Sequence, residues 1–297
     1  MFGESFLANT FSIVAGLILL IWGADRFVHG AASTARNLGV APLLIGLTIV
    51  AFATSAPEIL ISAVAAVQGQ PGLAIGNAIG SNIVNIGLVL GVTAVIRPIP
   101  LESATLRREM PALLAVSLLT VSLFLDTFLS RVDGFVMLTG LIIVMIWLTR
   151  LGIRSADNDT LKADFEAEIP DNVSMRAAPI WLAIGLGALL IGAECVPELA
   201  VSLVSALKGE YGLAIGNIVG SNIFNLLAVI GVSATIQPAA VAPSVLSLHI
   251  FVMVAFTLVL FAMTYDYDGK AQLSRLEGIA LILAYSGYTG YVIAQNI

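Results

Sequence analysis

Two glutamates stand where a charge is hard to keep. Glu58 follows Pro57 and Glu198 follows Pro197, each inside a long apolar segment, 140 residues apart. If such a segment lies in a bilayer, a carboxylate at its centre costs roughly 3 kcal/mol or more. It persists where it faces a partner or a wet cavity. A single buried acid can be a protonated structural group. Two at equivalent positions, each after a proline, point to a shared site. Two carboxylates with carbonyl and hydroxyl oxygens around them suit a hard cation, Ca²⁺ in particular.

The neighbouring residues supply such oxygens. Proline has no N–H and disrupts the turn before it. Pro57 therefore frees carbonyls one turn upstream, at Ala53 and Thr54, and Thr54 and Ser55 add hydroxyls. Free carbonyls inside a membrane are tolerated where they line a cavity. Downstream of each glutamate comes a Gly-Asn-x-x-Gly-Ser-Asn-x-x-Asn run. Asn77, Ser81 and Asn85 recur every four residues, as do Asn217, Ser221 and Asn225. On an α-helix each set forms one polar stripe, a candidate monovalent-cation path or, alternatively, an interhelical hydrogen-bond seam. Gly76 and Gly80, like Gly216 and Gly220, have the small-x-x-x-small spacing of close helix packing. Asn82 and Asn222 sit one step round from the stripe. His29 and His249 are single and read as interface residues.

The elements that must carry these residues are membrane helices. Hydrophobic residues make up 59% of the 297, charged residues 11%, and the mean hydropathy is +1.01. A soluble domain carries roughly 25% charged residues. Apolar runs near the length of a span recur at 6–24, 41–67, 72–95, 111–125, 133–149, 177–207, 212–235, 243–264 and 276–294. The fold expected is an all-α integral membrane bundle with about nine hydrophobic segments, multi-pass in a plasma (bacterial inner) membrane. The second span is expected to break near Pro57, and residues 25–40 to form a polar turn. Cys195 is the only cysteine, so no intramolecular disulfide is available. There is no Walker motif, no nucleophile–base pair and no zinc-protease pattern. The sequence gives no reason to expect an enzyme, a bound cofactor or a nucleic-acid partner.

The chain is duplicated. Residues 72–85 and 212–225 are identical at eleven of fourteen positions, at an offset of 140. Ser130-Arg131-Val132-Asp133-Gly134 matches Ser274-Arg275-Leu276-Glu277-Gly278 at an offset of 144. The halves expected are 1–150, with a first repeat motif at 41–95, and 177–297, with a second at 193–235. An acidic cytoplasmic linker, 151–176, joins them. The second half is shorter by about one span: 57 residues precede Glu58, but only about 21 separate the acidic linker from Glu198.

Positive charges mark the cytoplasmic side of membrane proteins. Threading the first five spans puts Arg26, Arg36, Arg97, Arg107, Arg108, Arg150, Arg154, Lys162 and Arg176 on one side and Arg131 alone on the other. The N-terminus is then outside. Residues 177–207 leave two readings. A single crossing puts Lys208, Lys270 and Arg275 outside, against the rule. A re-entrant hairpin turning near Gly192–Pro197 returns all three to the cytoplasmic side.

Thr54-Ser55-Ala56-Pro57-Glu58 and the two Gly-Asn-x-x-Gly-Ser-Asn-x-x-Asn runs resemble the repeats of the calcium/cation antiporter superfamily, in particular bacterial sodium/calcium exchangers. The resemblance implies ten helices in two inverted five-helix halves, Ca²⁺ and Na⁺ as transported partners, and ions bound at the centre. It implies that Glu58 and Glu198 bind Ca²⁺ with the Thr54 backbone assisting, and that Ser55, Ser81, Asn85, Ser221 and Asn225 shape Na⁺ sites. It also implies secondary exchange without ATP. The departure from the pattern is at Ala193-Glu194-Cys195-Val196-Pro197-Glu198. Glu194 stands where a Thr is expected, as an additional cation ligand or a repelling charge, and Cys195 where a Ser is expected. A deletion joining the start of one helix to the middle of the next explains this and the missing span. Weakened exchange, or none, is expected from it. A proton/cation exchanger and a transport-dead protein that keeps the fold are the alternatives.

Overall fold

A computed structural model describes residues 19–101, 104–155, 177–184, 197–264 and 272–295, apart from 20, 36, 39, 41, 178, 179 and 182. Glu194, Cys195, Lys270 and the acidic linker from 156 to 176 lie outside the described residues. The helices are α1 (residues 21–35), α2 (Leu43–Val67) and α3 (Pro71–Ile96), then α4 (Ala104–Phe124) and α5 (Arg131–Ser155). After the linker come α6 (Pro197–Leu207), α7 (Tyr211–Ile236), α8 (Val245–Thr264) and α9 (Arg275–Gln295). Four two-residue strands lie between them: β1 (Ile99–Pro100), β2 (Phe128–Leu129), β3 (Ala239–Ala240) and β4 (Gln272–Leu273). Among the described residues, α2, α3, α5, α7, α8 and α9 are long and apolar enough to cross a membrane. Helix α7 is buried along its whole length, whereas α5 and α9 present most of their surface outward. Ile142, Ile143 and Leu283 on those outer faces are more than half exposed, as lipid-facing residues are.

The duplication is visible in three dimensions. Helices α3 and α7 begin and end 140 residues apart. Both helices α2 and α6 close in the same way. Gly69 and Gly209 take positive φ (76° and 81°), and the next residue's N–H reaches back to Ala65 or Ser205, each at 2.8 Å. This is the Schellman closure that favours glycine. Helices α5 and α9 share a capping box. Ser130 Oγ donates to Asp133 (2.7 Å) and Ser274 Oγ to Glu277 (2.8 Å), and the Asp133 and Glu277 N–H groups donate back to those hydroxyls.

The two copies are inverted. Strand β1 pairs antiparallel with β4, Ile99 opposite Leu273, and β2 pairs with β3, Leu129 opposite Ala239. One end of the bundle thus holds β1, β4 and the end of α3. The other holds β2, β3 and the end of α7. Arg97 Nε donates to Tyr211 Oη at 2.9 Å, which sets the start of α7 beside the end of α3. The two helices therefore run in opposite directions.

Two local expectations need correction. Residues 21–35 are helical, not a polar turn. Ala24, Phe27, Val28, Ala31, Ala32 and Ala35 recur at helical spacing and bury against Ile45, Val50, Ala200 and Val201. That apolar face outweighs the turn suggested by Asp25, Arg26 and His29. The second span, moreover, is not broken at Pro57. The α-helical segment Ala51–Val67 runs through it, and a π-helical stretch, Gly46–Val50, lies about two turns upstream. A proline removes one N–H donor, and the helix keeps its course at the loss of that hydrogen bond. Pro197 is the first described residue of α6.

The ends of 177–207 lie together. Lys208 Nζ is 2.8 Å from Asp25 Oδ1, and the guanidinium of the adjoining Arg26 stands 4.9 Å from the Trp181 ring. Both described ends of 177–207 thus lie at one end of the bundle, which fits the re-entrant reading. Lys208 and Arg275 then share an end with Arg97, while Arg131 sits at the other.

Candidate ion site at the crossing of the repeats

The site is built where α2, α6 and the middle of α7 meet. Helices α2 and α7 approach at backbone contact because glycine lines the seam. A Cβ on Gly216 would lie 2.6 Å from the Leu43 carbonyl oxygen and 2.9 Å from Gly46 Cα. One on Gly220 would lie 2.5 Å from the Leu47 carbonyl. This approach carries Thr54 into α7. Its hydroxyl is 3.0 Å from Asn217 Oδ1 and 3.1 Å from Ser221 Oγ. One proton serves one acceptor, so Thr54 donates to Asn217 and accepts from Ser221. The Asn217 amide N–H₂ donates to Ser202 Oγ (3.0 Å) and reaches the Glu198 backbone carbonyl (3.4 Å).

Glu198 is buried among these groups. Its carboxyl is near enough to Glu58 for the two charges to act on each other, and lies beside the Thr54 hydroxyl. Glu58 is half-buried, and its Oε2 has no partner among the described residues. The Ser55 hydroxyl is fully buried and likewise unpaired. A carboxylate oxygen and a hydroxyl left unsatisfied on one helix are of the type that a hard cation takes as ligands.

Asn85 and Asn225 are also brought in, by a route the sequence hides. Both open π-helical turns, Asn85–Leu90 and Asn225–Val229. The i, i+4, i+8 stripe expected of an α-helix therefore ends at these residues, and the helix widens beyond them. Asn85 Nδ2 donates to Asn222 Oδ1 (3.0 Å), and Asn82 Nδ2 donates to the Asn222 backbone carbonyl (3.1 Å). Sequence reasoning passes over Ser202, and leaves Asn82 and Asn222 aside. The 140-residue repeat, which pairs Ser62 with Ser202 in apolar helices, is the signal that could have found it. His249 Nδ1 bonds Tyr288 Oη at 2.7 Å, away from the site, and is the interface residue expected.

The two copies do not surround the site equally. Gly216 and Gly220 are packed against α2, but among the described residues a Cβ on Gly72, Gly76 or Gly80 of α3 would meet nothing within 4 Å. Asn217 and Ser221 are wholly buried, whereas Asn77 and Ser81 are half-exposed. The residues that match 43–51 at the repeat offset, 183–191, lie outside the described residues from 185 onward. The outer contacts, by contrast, are preserved in both copies. A Cβ on Gly278 would lie 2.7 Å from the Gly91 carbonyl, and one on Gly134 would lie 2.8 Å from that of Gly231.

Known proteins share this arrangement. The sodium/calcium exchanger protein family matches residues 8–150 and 182–294. The chain belongs to that family. It is 40% identical to a putative antiporter, CaxA, of Alkalimonas amylolytica, covering 95% of this chain and 98% of that one. It is 29% identical to the sodium/calcium exchanger MaX1 of Methanosarcina acetivorans, covering 94% and 97%. The solved structure of the sodium-calcium exchanger NCX_Mj soaked with Na⁺ and Sr²⁺ superposes with a TM-score of 0.82 at 31% identity, covering 96% of this chain and 98% of that one. The fold is thus the exchanger fold, and the protein is an antiporter of the sodium/calcium exchanger type. The comparisons also register the short second half. The family match spans 143 residues in the first half and 113 in the second. The alignment with CaxA covers 311 positions, more than the 297 residues of this chain.

Proposed function

We propose that the protein exchanges Ca²⁺ for Na⁺ across the bacterial inner membrane, with both ions competing for the oxygens around Glu58 and Glu198. The observation that carries this reading is the meeting of two carboxylates from opposite repeats beside the Thr54–Asn217–Ser221 network. Ca²⁺ neutralises the carboxylate pair. Na⁺ ions replace it on the amide and hydroxyl oxygens of Ser55, Ser81, Asn85, Ser221 and Asn225. Glu194, three residues before Pro197, is a further candidate carboxylate ligand. MaX1 and NCX_Mj are both named as sodium/calcium exchangers, and this chain's ions are inferred from theirs. The N-terminus lies outside, so Arg97, Lys208 and Arg275 face the cytoplasm.

Exchange is slower than in relatives with an intact second repeat. Glu194 and Cys195 stand where the pattern has a Thr and a Ser, which puts a repelling charge and a poor ligand for hard cations beside the second glutamate in the sequence. The test is Ca²⁺ uptake by Na⁺-loaded proteoliposomes. Uptake that requires the Na⁺ gradient supports exchange. Uptake that follows a pH gradient with no Na⁺ present replaces Na⁺ with H⁺. No uptake together with no Ca²⁺ binding by calorimetry identifies a transport-dead protein.

A further inference from the structure

The amide cluster at the crossing of α3 and α7 is satisfied on one side only. The repeat operation relates Asn82 to Asn222 and Asn85 to Asn225. It carries each hydrogen bond of the cluster into a mirror bond. Asn85 Nδ2 to Asn222 Oδ1 becomes Asn225 Nδ2 to Asn82 Oδ1. Asn82 Nδ2 to the Asn222 carbonyl becomes Asn222 Nδ2 to the Asn82 carbonyl. The first member of each pair is present, at 3.0 and 3.1 Å. Neither mirror bond is. The atoms they would use, Asn82 Oδ1 and Asn222 Nδ2, are buried with no partner among the described residues, as is Asn225 Oδ1.

Buried amides in native proteins are almost always paired, and an unpaired group needs an explanation. Here Asn82 and Asn222 are both about 1% exposed or less. The orientation of Asn82 is fixed by chemistry, because only its N–H₂ can face a carbonyl. Its Oδ1 is therefore an acceptor with no donor. Asn222 has spent its oxygen on Asn85, and its N–H₂ is left over.

We propose that Asn82 and Asn222 are positioning residues forming a two-state amide relay, which holds Asn85 in one conformation of the exchanger and Asn225 in its mirror. In the conformation described, Asn222 ties down the Asn85 amide while Asn225 Oδ1 stays free for a cation. In the mirror conformation Asn82 ties down Asn225, and Asn85 is released. The unpaired atoms are the contacts of the other state, and neither state satisfies all of them. Each state therefore keeps a reason to convert to the other, as a bistable element must. The relay gives the two membrane faces different ion ligands from a nearly symmetric sequence. It deepens the exchange reading and rests on it.

The test uses N222L and N82L, which keep the size of the side chain and remove its amide. Na⁺-dependent Ca²⁺ flux is measured in proteoliposomes of defined orientation, with Na⁺ varied at one face at a time. N222L should raise the half-saturating Na⁺ concentration about tenfold at one face, the effect of losing one net hydrogen bond, and leave the opposite face near wild type. N82L should do the reverse. A merely structural role moves both faces together in both variants, and that outcome overturns the relay. Equally decisive is an N82L variant that leaves both faces unchanged. A second measurement covers variants that fail to fold, and a wild type without flux. Structures of the wild type held open to one membrane face and then to the other should differ in these bonds, with Asn222 Nδ2 reaching the Asn82 carbonyl in one of them. If Asn85 keeps Asn222 Oδ1 in both, the relay is wrong. Absent flux with relay bonds that switch between the two conformations sinks exchange alone.

Discussion

Thr54 Oγ1 lies 3.1 Å from Ser221 Oγ, joining two residues 167 positions apart in the chain. It also donates to Asn217 at 3.0 Å. Thr54 is thus the hinge pin between the first repeat's glutamate helix and the second repeat's polar stripe. Thr54→Val keeps the shape and removes the hydroxyl. Asn217 Oδ1 then loses its donor in a buried place, at about 1–3 kcal/mol. Ca²⁺ affinity measured by calorimetry should fall about tenfold or more, since 1.4 kcal/mol is a factor of ten. Thr54→Ser should recover most of it. Equal affinity in wild type and Thr54→Val would remove Thr54 from the site.

Equivalent glycines make a second prediction, because their surroundings among the described residues differ. Gly216→Ala forces a methyl against the Leu43 carbonyl at 2.6 Å, whereas Gly76→Ala meets nothing within 4 Å. Overpacking costs about 1–3 kcal/mol. Replacing a helical glycine by alanine in open space gains about 0.5–1 kcal/mol. Thermal unfolding in detergent should therefore drop for Gly216→Ala and hold or rise for Gly76→Ala. Similar losses at both positions would mean that something packs on Gly76.

Much of this is legible in the sequence, and the limits have physical causes. The 140-residue offset carries the duplication, the paired glutamates and the short second half, because insertion into a bilayer makes apolar runs and isolated charges conspicuous. Helix α1 reads as a turn because Asp25, Arg26 and His29 lie on one side of it, while the face from Ala24 to Ala35 is small and apolar and buries. The π-turns at Asn85 and Asn225 are invisible because their residues also suit an α-helix. Only packing against the opposite repeat selects the wider turn. The asymmetry of Gly76 and Gly216 is equally out of reach, since identical local sequences differ only in what the rest of the chain lays against them.

The placement of Lys208 can be checked from outside the protein. Its ammonium is 2.8 Å from Asp25 Oδ1, and Arg97 at the same end bonds Tyr211, three residues further on. In a Cys195→Ser background, single cysteines at 97 and 208 should react with a membrane-impermeant maleimide from the same face of oriented vesicles. A cysteine at 131 should react from the other. Labelling of 97 and 208 from opposite faces would make 177–207 a single crossing.

The two glutamates should not be interchangeable in their environment, although both are needed. Glu198 is 6% exposed and sits beside Thr54. Glu58 is only half-buried. Removing either charge leaves one carboxylate for a divalent cation. Glu58→Gln and Glu198→Gln should each lower Ca²⁺ binding by about two orders of magnitude, in line with the loss of one close charge–charge attraction of about 3 kcal/mol at an effective dielectric near 20. Stability should separate them. Glu198→Gln relieves the cost of a buried charge beside a second carboxylate and should raise the midpoint of unfolding in Ca²⁺-free detergent. Glu58→Gln should raise it less, because that side chain retains access to solvent. Calorimetry and thermal unfolding of the same two variants decide the point. Unchanged Ca²⁺ binding in both would place the cation site elsewhere.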